Sequence, residues 1–97
     1  MKTVFIAYDQ AHQENVIQAL DATNVRGYTF LPQVGGRGTK DGDPHLGSHA
    51  WPTMNSAILA IVEDAQVQPL LHRLQQLDID NPLLGLRAFV WNVEQSI

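Results

Sequence analysis

Asn55-Ser56-Ala57-Ile58-Leu59-Ala60-Ile61-Val62-Glu63-Asp64 decides the fold. From Asn55 to Val62 it is a short, nearly unbroken apolar run, the pattern of a strand buried on both faces. Glu63-Asp64 then caps a helix in which Val67, Leu70, Leu71, Leu74 and Leu77 form one stripe. Pro69 conflicts with a helix start at Asp64, because it would fall in the second turn and remove a backbone donor. Either the first turn is irregular, or the helix proper starts near Gln68 with Pro69 at its first position.

The same strand-then-helix unit precedes this one. Thr3 to Tyr8 is apolar and rich in β-formers, and Asp9 or Gln10 opens a helix. Val16, Ala19, Leu20 and Thr23 fall on one face of that helix, with His12, Gln13, Glu14 and Gln18 largely outside it. Asn24 ends it. Gly27 to Val34 resumes a strand pattern, and Pro32 there calls for an edge or a bulge, because it cannot donate to a ladder. On the far side, Asp78 to Leu86 reads as a loop containing Asn81-Pro82 and Gly85, and Arg87 to Val93 as the last strand. The order is βαββαβ, which predicts an α+β, ferredoxin-like fold: a four-stranded antiparallel sheet with two helices on one face, as a single domain over residues 1–97. The other face must be wet or covered. Tyr8, Tyr28 or Phe30, Ile58 and Trp91 place bulky side chains there in some register. An apolar face of that size on a small chain predicts an oligomer.

Composition narrows the function. The chain has 97 residues, a net charge of −4 and only six Lys and Arg, which do not cluster, so nothing in it attracts nucleic acid or an anionic membrane. No apolar run approaches the roughly 20 residues of a membrane span, and Met1 to Asp9 turns polar too soon for a signal peptide, so a cytoplasmic location is expected. There is no cysteine, which excludes disulfides, zinc thiolates and thiol nucleophiles. No Ser-His-Asp or paired-carboxylate arrangement stands out, and the chain does not read as an enzyme. His12 and His72 fall on polar helix faces and read as solvated. Asp78, Asp80, Asp9 and Glu14 read as caps and surface charge.

Chemistry concentrates between Val34 and Pro52, which hold five of the seven glycines, two of the four histidines and one of the two tryptophans. Gly35-Gly36-Arg37-Gly38 can wrap an anion: glycines let successive N–H groups turn inward, and Arg37 adds a bidentate donor. His45 and His49 are candidate ligands for zinc, copper or nickel, with Asp41 and Asp43 just upstream. Trp51 offers either a stacking face for a base or a hydrophobic pin at the start of the third strand.

Three stretches together resemble the PII-like superfamily of trimeric signalling proteins. Asn15 to Leu20 followed by Val25-Arg26-Gly27-Tyr28-Thr29 is similar to the family's first helix and its "G-(aromatic or Met)-T" turn into strand two. Val34-Gly35-Gly36-Arg37-Gly38 is similar to the "V-x-G-x-G" at the base of its long T-loop. Phe89-Val90-Trp91-Asn92-Val93-Glu94-Gln95-Ser96-Ile97 resembles its closing "(I)FV-x-(D/N)VE-x-x-(I/V)". The resemblance implies a homotrimeric, non-enzymatic sensor with a T-loop-like segment at about 36–52. It implies a small ligand, a nucleotide-like anion or a transition metal ion, bound in intersubunit clefts near Gly35, Gly36, Arg37, Gly38, Trp51 and Arg87. It also implies a regulated partner, a membrane transporter or another protein, engaged through the loop, with no insertion of the chain itself into the membrane. The chain departs from the family in two places. Its loop is shorter and lacks the modified tyrosine, so uridylylation is not implied. Where the family has the phosphate-binding turn "GDGK", this chain has Asn81-Pro82-Leu83-Leu84-Gly85-Leu86-Arg87, which leaves Gly85 and Arg87 to serve an anion. The alternative is a metal-binding protein similar to the CutA proteins, with His45 and His49 as ligands.

Overall fold

Strand β1, Lys2–Asp9, runs through the middle of the sheet because both of its faces are apolar. It pairs antiparallel with β5, Asn55–Val62, on one side and with β6, Arg87–Asn92, on the other. Strand β2, Tyr28–Val34, adds to the free side of β5, which completes the order β2-β5-β1-β6. The computed structural model describes residues 1–37, 44–45 and 55–97. Within the glycine-rich segment, β3 (Gly36–Arg37) and β4 (Pro44–His45) form a two-stranded ribbon, with Gly36 opposite His45. Two helices, α1 (Gln13–Ala22) and α2 (Asp64–Asp80), make up the second layer. The ferredoxin-like α+β fold expected from the strand and helix order is therefore present.

Local chemistry explains the boundaries. Asp9 starts a 3-10 turn, Gln10–His12, by accepting from the N–H of Ala11 at 2.8 Å. Helix α1 ends in a Schellman motif. Asn24 takes the left-handed conformation at φ 63°, the N–H of Asn24 reaches Asp21 O at 3.1 Å, and that of Val25 reaches Leu20 O at 2.9 Å. Buried Val25 and Leu20 supply the apolar contact that accompanies this motif. Helix α2 opens with a capping box in which Gln66 Oε1 accepts from the N–H of Glu63 at 2.8 Å. The same Gln66 donates through Nε2 to the carbonyls of Thr23 and Asn24, at 3.2 and 3.1 Å, and so ties the start of α2 to the end of α1.

Pro32 meets both conditions set by its missing donor. It lies on the edge strand, and the register of β2 against β5 shifts between Leu31 and Val34. Its carbonyl is well used, accepting from Ser56 Oγ at 2.8 Å and Gln10 Nε2 at 2.9 Å.

Four expectations need correction. Pro69 lies inside α2, which starts at Asp64 without an irregular first turn; the capping box fixes that start, and the carbonyl of Ala65 that loses its donor belongs to a solvent-exposed residue. Helix α2 also continues through Asp78 to Asp80, where a loop was expected. His12 is not solvated: it is 1 % exposed, and its Nε2 has no hydrogen-bond partner among the described residues. It precedes Val16 by one helical turn and falls on the same buried stripe. Finally, the register divides the four bulky residues expected on the open face. Phe30 stands opposite Ile58, which stands opposite Ile6, and all three face the helices, as do Tyr8 and Tyr28. Trp91 alone of the set lies on the open face, opposite Thr3.

The core lies between sheet and helices: Val4, Ile6, Tyr8, Ile58, Ala60 and Val62 from the strands against Val16, Leu20, Leu70 and Leu74. Tyr8 is completely buried and donates its hydroxyl to Gln13 Oε1. Burial above all, reinforced by the neighbouring Tyr28 and opposed by a hydrogen bond with Ser56, pushes its phenol up to about 12.

Candidate functional site

The open face carries a depression at the end of the sheet nearest the glycine-rich segment. Its floor follows from the register. Ala7 on β1 stands opposite both Ala57 on β5 and Arg87 on β6, and Ala57 stands opposite Leu31 on β2. One row across the face therefore reads Leu31, Ala57, Ala7, Arg87. Two adjacent alanines between larger neighbours leave room above them. The next row raises a wall, because Phe5 stands opposite Phe89. Val34, Gly35 and Asn55 close one side, and Gly85 closes the other. The result is a cavity of about 360 Å³, open to solvent along the sheet face.

Gly85 matters here for its backbone. It follows the short 3-10 turn Pro82–Leu84 with φ 69°, a conformation that disfavours a side chain, and it turns the chain directly into β6. Arg87, two residues on, stands at the edge of the cavity. Its Nη1 donates to Leu86 O at 2.7 Å and faces the carboxylate of Asp78, at 3.5 Å from Oδ1 and 3.4 Å from Oδ2. The cavity thus offers an apolar bed, the glycine turn at Gly85, the open backbone of Gly35 and a permanent cation. Together these suit a ligand with a flat apolar part and an anionic end.

Of the expected site residues, the structure brings together Gly35 and Arg87, with Gly85 beside them. Gly36 and Arg37 continue from Gly35 into the ribbon, and His45 is the residue across from Gly36. Gly38, His49 and Trp51 lie outside the described residues, so the His45/His49 pair is not described as a unit. Among the described residues, no three His, Asp or Glu side chains gather as a metal site. The alanine floor and Asp78 were missed in the sequence. Ala7 and Ala57 lie 50 positions apart and become a pair only through the register. Asp78 and Arg87 sit on opposite sides of a turn with no spacing rule to join them. A second groove, of about 480 Å³, runs between the helices past Asn15, Pro69, His72 and Arg73 on the other side of the molecule. Among the described residues, no helix is long and apolar enough to cross a membrane.

The comparisons agree with this architecture. None of the curated proteins matches the chain. Among solved structures, it is similar to CPII from Thiomonas intermedia K12, a nitrogen regulatory PII-like protein bound to ADP, AMP and bicarbonate. That match has 26% identity and a TM-score of 0.79, and it covers 95% of this chain and 84% of that one. The apo form of the same protein matches at 25% identity and a TM-score of 0.73, over 95% and 87% of the two chains. In fold alone, the chain is also similar to a PII-like signaling protein from Thermus thermophilus, at 23% identity and a TM-score of 0.68, over 95% and 85%. The family model "Nitrogen regulatory protein P-II" matches residues 1–97. The chain belongs to the nitrogen regulatory protein P-II family, a family of signalling and regulatory proteins.

Proposed function

We propose that this protein is a homotrimeric PII-like sensor. In this reading it binds an adenine nucleotide in clefts between subunits and passes the binding state to a partner protein through the segment at about 36–52. The observation that carries the reading is the convergence of Gly35, Gly85 and Arg87 on one cavity. That cavity joins the base of the glycine-rich segment to the turn before the last strand. Its volume lies near the lower end of small-molecule clefts, about 300–1,000 Å³, as suits a half-site that a neighbouring subunit completes. The nucleotide is favoured by the ADP and AMP held by the similar CPII structure. Arg87 meets the phosphates, Gly36, Arg37 and Gly38 wrap them, and Trp51 covers the base. Ligand contacts then order the segment and shift the population that a partner, a transporter or another protein, recognises. The protein binds its ligand without turning it over.

The trimer rests on the open sheet face. Phe89 is 57% exposed, Trp91 48% and Ile61 47%, and Trp91 lies against Phe5 with ring centroids 6.4 Å apart. A contiguous apolar face of this kind is a surface that needs a cover.

Calorimetry of the intact protein against ADP and AMP, with and without bicarbonate, tests the reading. Binding is expected, and Arg87→Gln weakens it about 10- to 100-fold, the loss of the charged contact to the phosphates. Chromatography of the recovered nucleotide shows it unchanged. Zinc, copper and nickel titrations run beside these. Silence toward every nucleotide, with a metal signal abolished in His45→Ala/His49→Ala, would overturn the proposal in favour of a CutA-like metal-binding protein.

A further inference from the structure

Asp78 is the feature that the proposed site leaves unexplained. The register places Arg87 in the cavity row with Ala7 and Ala57. Yet the same side chain also borders a smaller cavity, of about 260 Å³, on the helix side, where Asp78 of α2 and buried Leu74 and Leu86 lie. Arg87 therefore borders two spaces, one lined by a carboxylate and one by Gly35 and Gly85. Its contacts are all made on the Asp78 side. Nη1 alone serves Leu86 O and both oxygens of Asp78. The Nε and Nη2 donors have no partner among the described residues. Those two atoms form the planar edge that matches a phosphate or carboxylate bidentately.

We infer that Asp78 is a positioning residue for the ligand anion: it holds Nη1 of Arg87 from behind, so that the Nε/Nη2 edge faces the cavity already oriented. The inference rests on the nucleotide-binding reading above and names what sets the affinity of that site. An arginine at a strand end samples many rotamers, and fixing it before the ligand arrives removes an ordering cost from binding. Leu86 O alone cannot do this, because it lies on the preceding residue and constrains one atom only. The carboxylate, reached from a rigid helix, supplies the second point. The gap of 3.4 to 3.5 Å makes the pair a guide more than an anchor.

The sign of the effect separates this role from simple charge. Asp78 puts a negative charge near an anion site, so if charge alone mattered, removing it would tighten binding. If Asp78 positions Arg87, removing it loosens the guanidinium and weakens binding. The test measures ADP affinity by calorimetry for the intact wild type and for Asp78→Asn, Arg87→Gln, the double variant and Asp80→Asn. Asp80 lies on the same helix end but accepts from Gln76 at 3.0 Å and is not paired with Arg87, so it controls for net charge. Asp78→Asn is expected to weaken ADP about three- to tenfold with little change in Tm, and to add nothing in the Arg87→Gln background. Asp80→Asn leaves affinity equal or slightly tighter. If Arg87→Gln loses ADP while Asp78→Asn binds it equally or more tightly, the positioning role is wrong and the site stands. If neither the wild type nor any variant binds ADP, the nucleotide reading falls and this inference falls with it.

Discussion

The two faces of the sheet are built from the same strands and behave differently. On β5, Ile58, Ala60 and Val62 face the helices and are almost wholly buried, while Ile61, one position from two of them, is 47% exposed. On β1, Ile6 is buried among core side chains and its neighbour Phe5 is only partly covered. Both faces are apolar, yet among the described residues the two helices lie on only one of them. The helix-covered face is the core of the folded chain. The open face, by contrast, leaves Ile61, Phe89 and Trp91 about half exposed.

Breaking the helix side has the largest expected effect. Ile58→Ala opens a cavity in the core and costs about 2–5 kcal/mol, a fall in Tm of at least about 8 °C at this chain length. Ile61→Ala removes side-chain atoms of the same kind from the open face. Under conditions that keep the chain dissociated, it stays within about 1 kcal/mol of wild type in urea denaturation. Equal losses at the two positions would show that the open face is also core.

The open face is sharpened by charging it. Ile61→Lys with Trp91→Glu leaves the helix-side core untouched and should leave far-UV circular dichroism unchanged, while the proposed trimer predicts that sedimentation shifts toward the monomer. A variant that still sediments as the wild type does would move the oligomer contact elsewhere.

The distinction between the faces was the part of the fold least legible in the sequence. Most boundaries were legible because local chemistry marks them: Asn24 for the end of α1, Pro32 for the edge bulge and Gly85 for the last turn, whereas Pro69 left the start of α2 open until the capping box of Glu63 and Gln66 fixed it. Register was not legible. A strand such as Ala57-Ile58-Leu59-Ala60-Ile61-Val62 has no alternation to mark its inner side, so Tyr8, Phe30 and Ile58 fitted either face until pairing fixed them. The same holds for the candidate site. Gly35 and Arg87 were visible from residue type and resemblance, whereas the alanine floor that makes room between them depends on register alone. His12 was misread because a polar residue on a helix stripe looks like a boundary, although its spacing from Val16 places it inside.

Tyr8 tests the helix side from within. Its phenol is pushed up to about 12 because the fold favours the neutral form. Relative to the ordinary value of 10.0, the stability from this group is therefore fully present below pH 10 and is lost as pH rises through about 12. Spectrophotometric titration should show a tyrosine ionising late, and Tyr8→Phe should delete that step. A step deleted by Tyr8→Phe that falls near the ordinary value of 10.0 would contradict the burial.

The smallest effect sits at the exposed rim of the helix layer, where charge replaces packing. The terminal ammonium of Met1 donates to Asp64 Oδ1 at 2.9 Å, in the first turn of α2. That hydrogen bond, with the charge behind it, holds the Asp64 carboxyl below its ordinary range. A depressed carboxyl stabilises the fold above its unfolded pKa, and the contribution is lost as pH falls through the folded value. Asp64→Asn should thus lower Tm slightly at pH 7, and the difference from wild type should shrink as pH falls below about 4. Salt should shrink it too, since both partners are exposed. The buried face predicts the reverse for Ile58→Ala, whose deficit involves no charge and should persist across the same acid range for as long as the fold survives. A pH-independent deficit for Asp64→Asn would mean that the residue acts through helix capping alone, and that the rim, like the core, is held without charge.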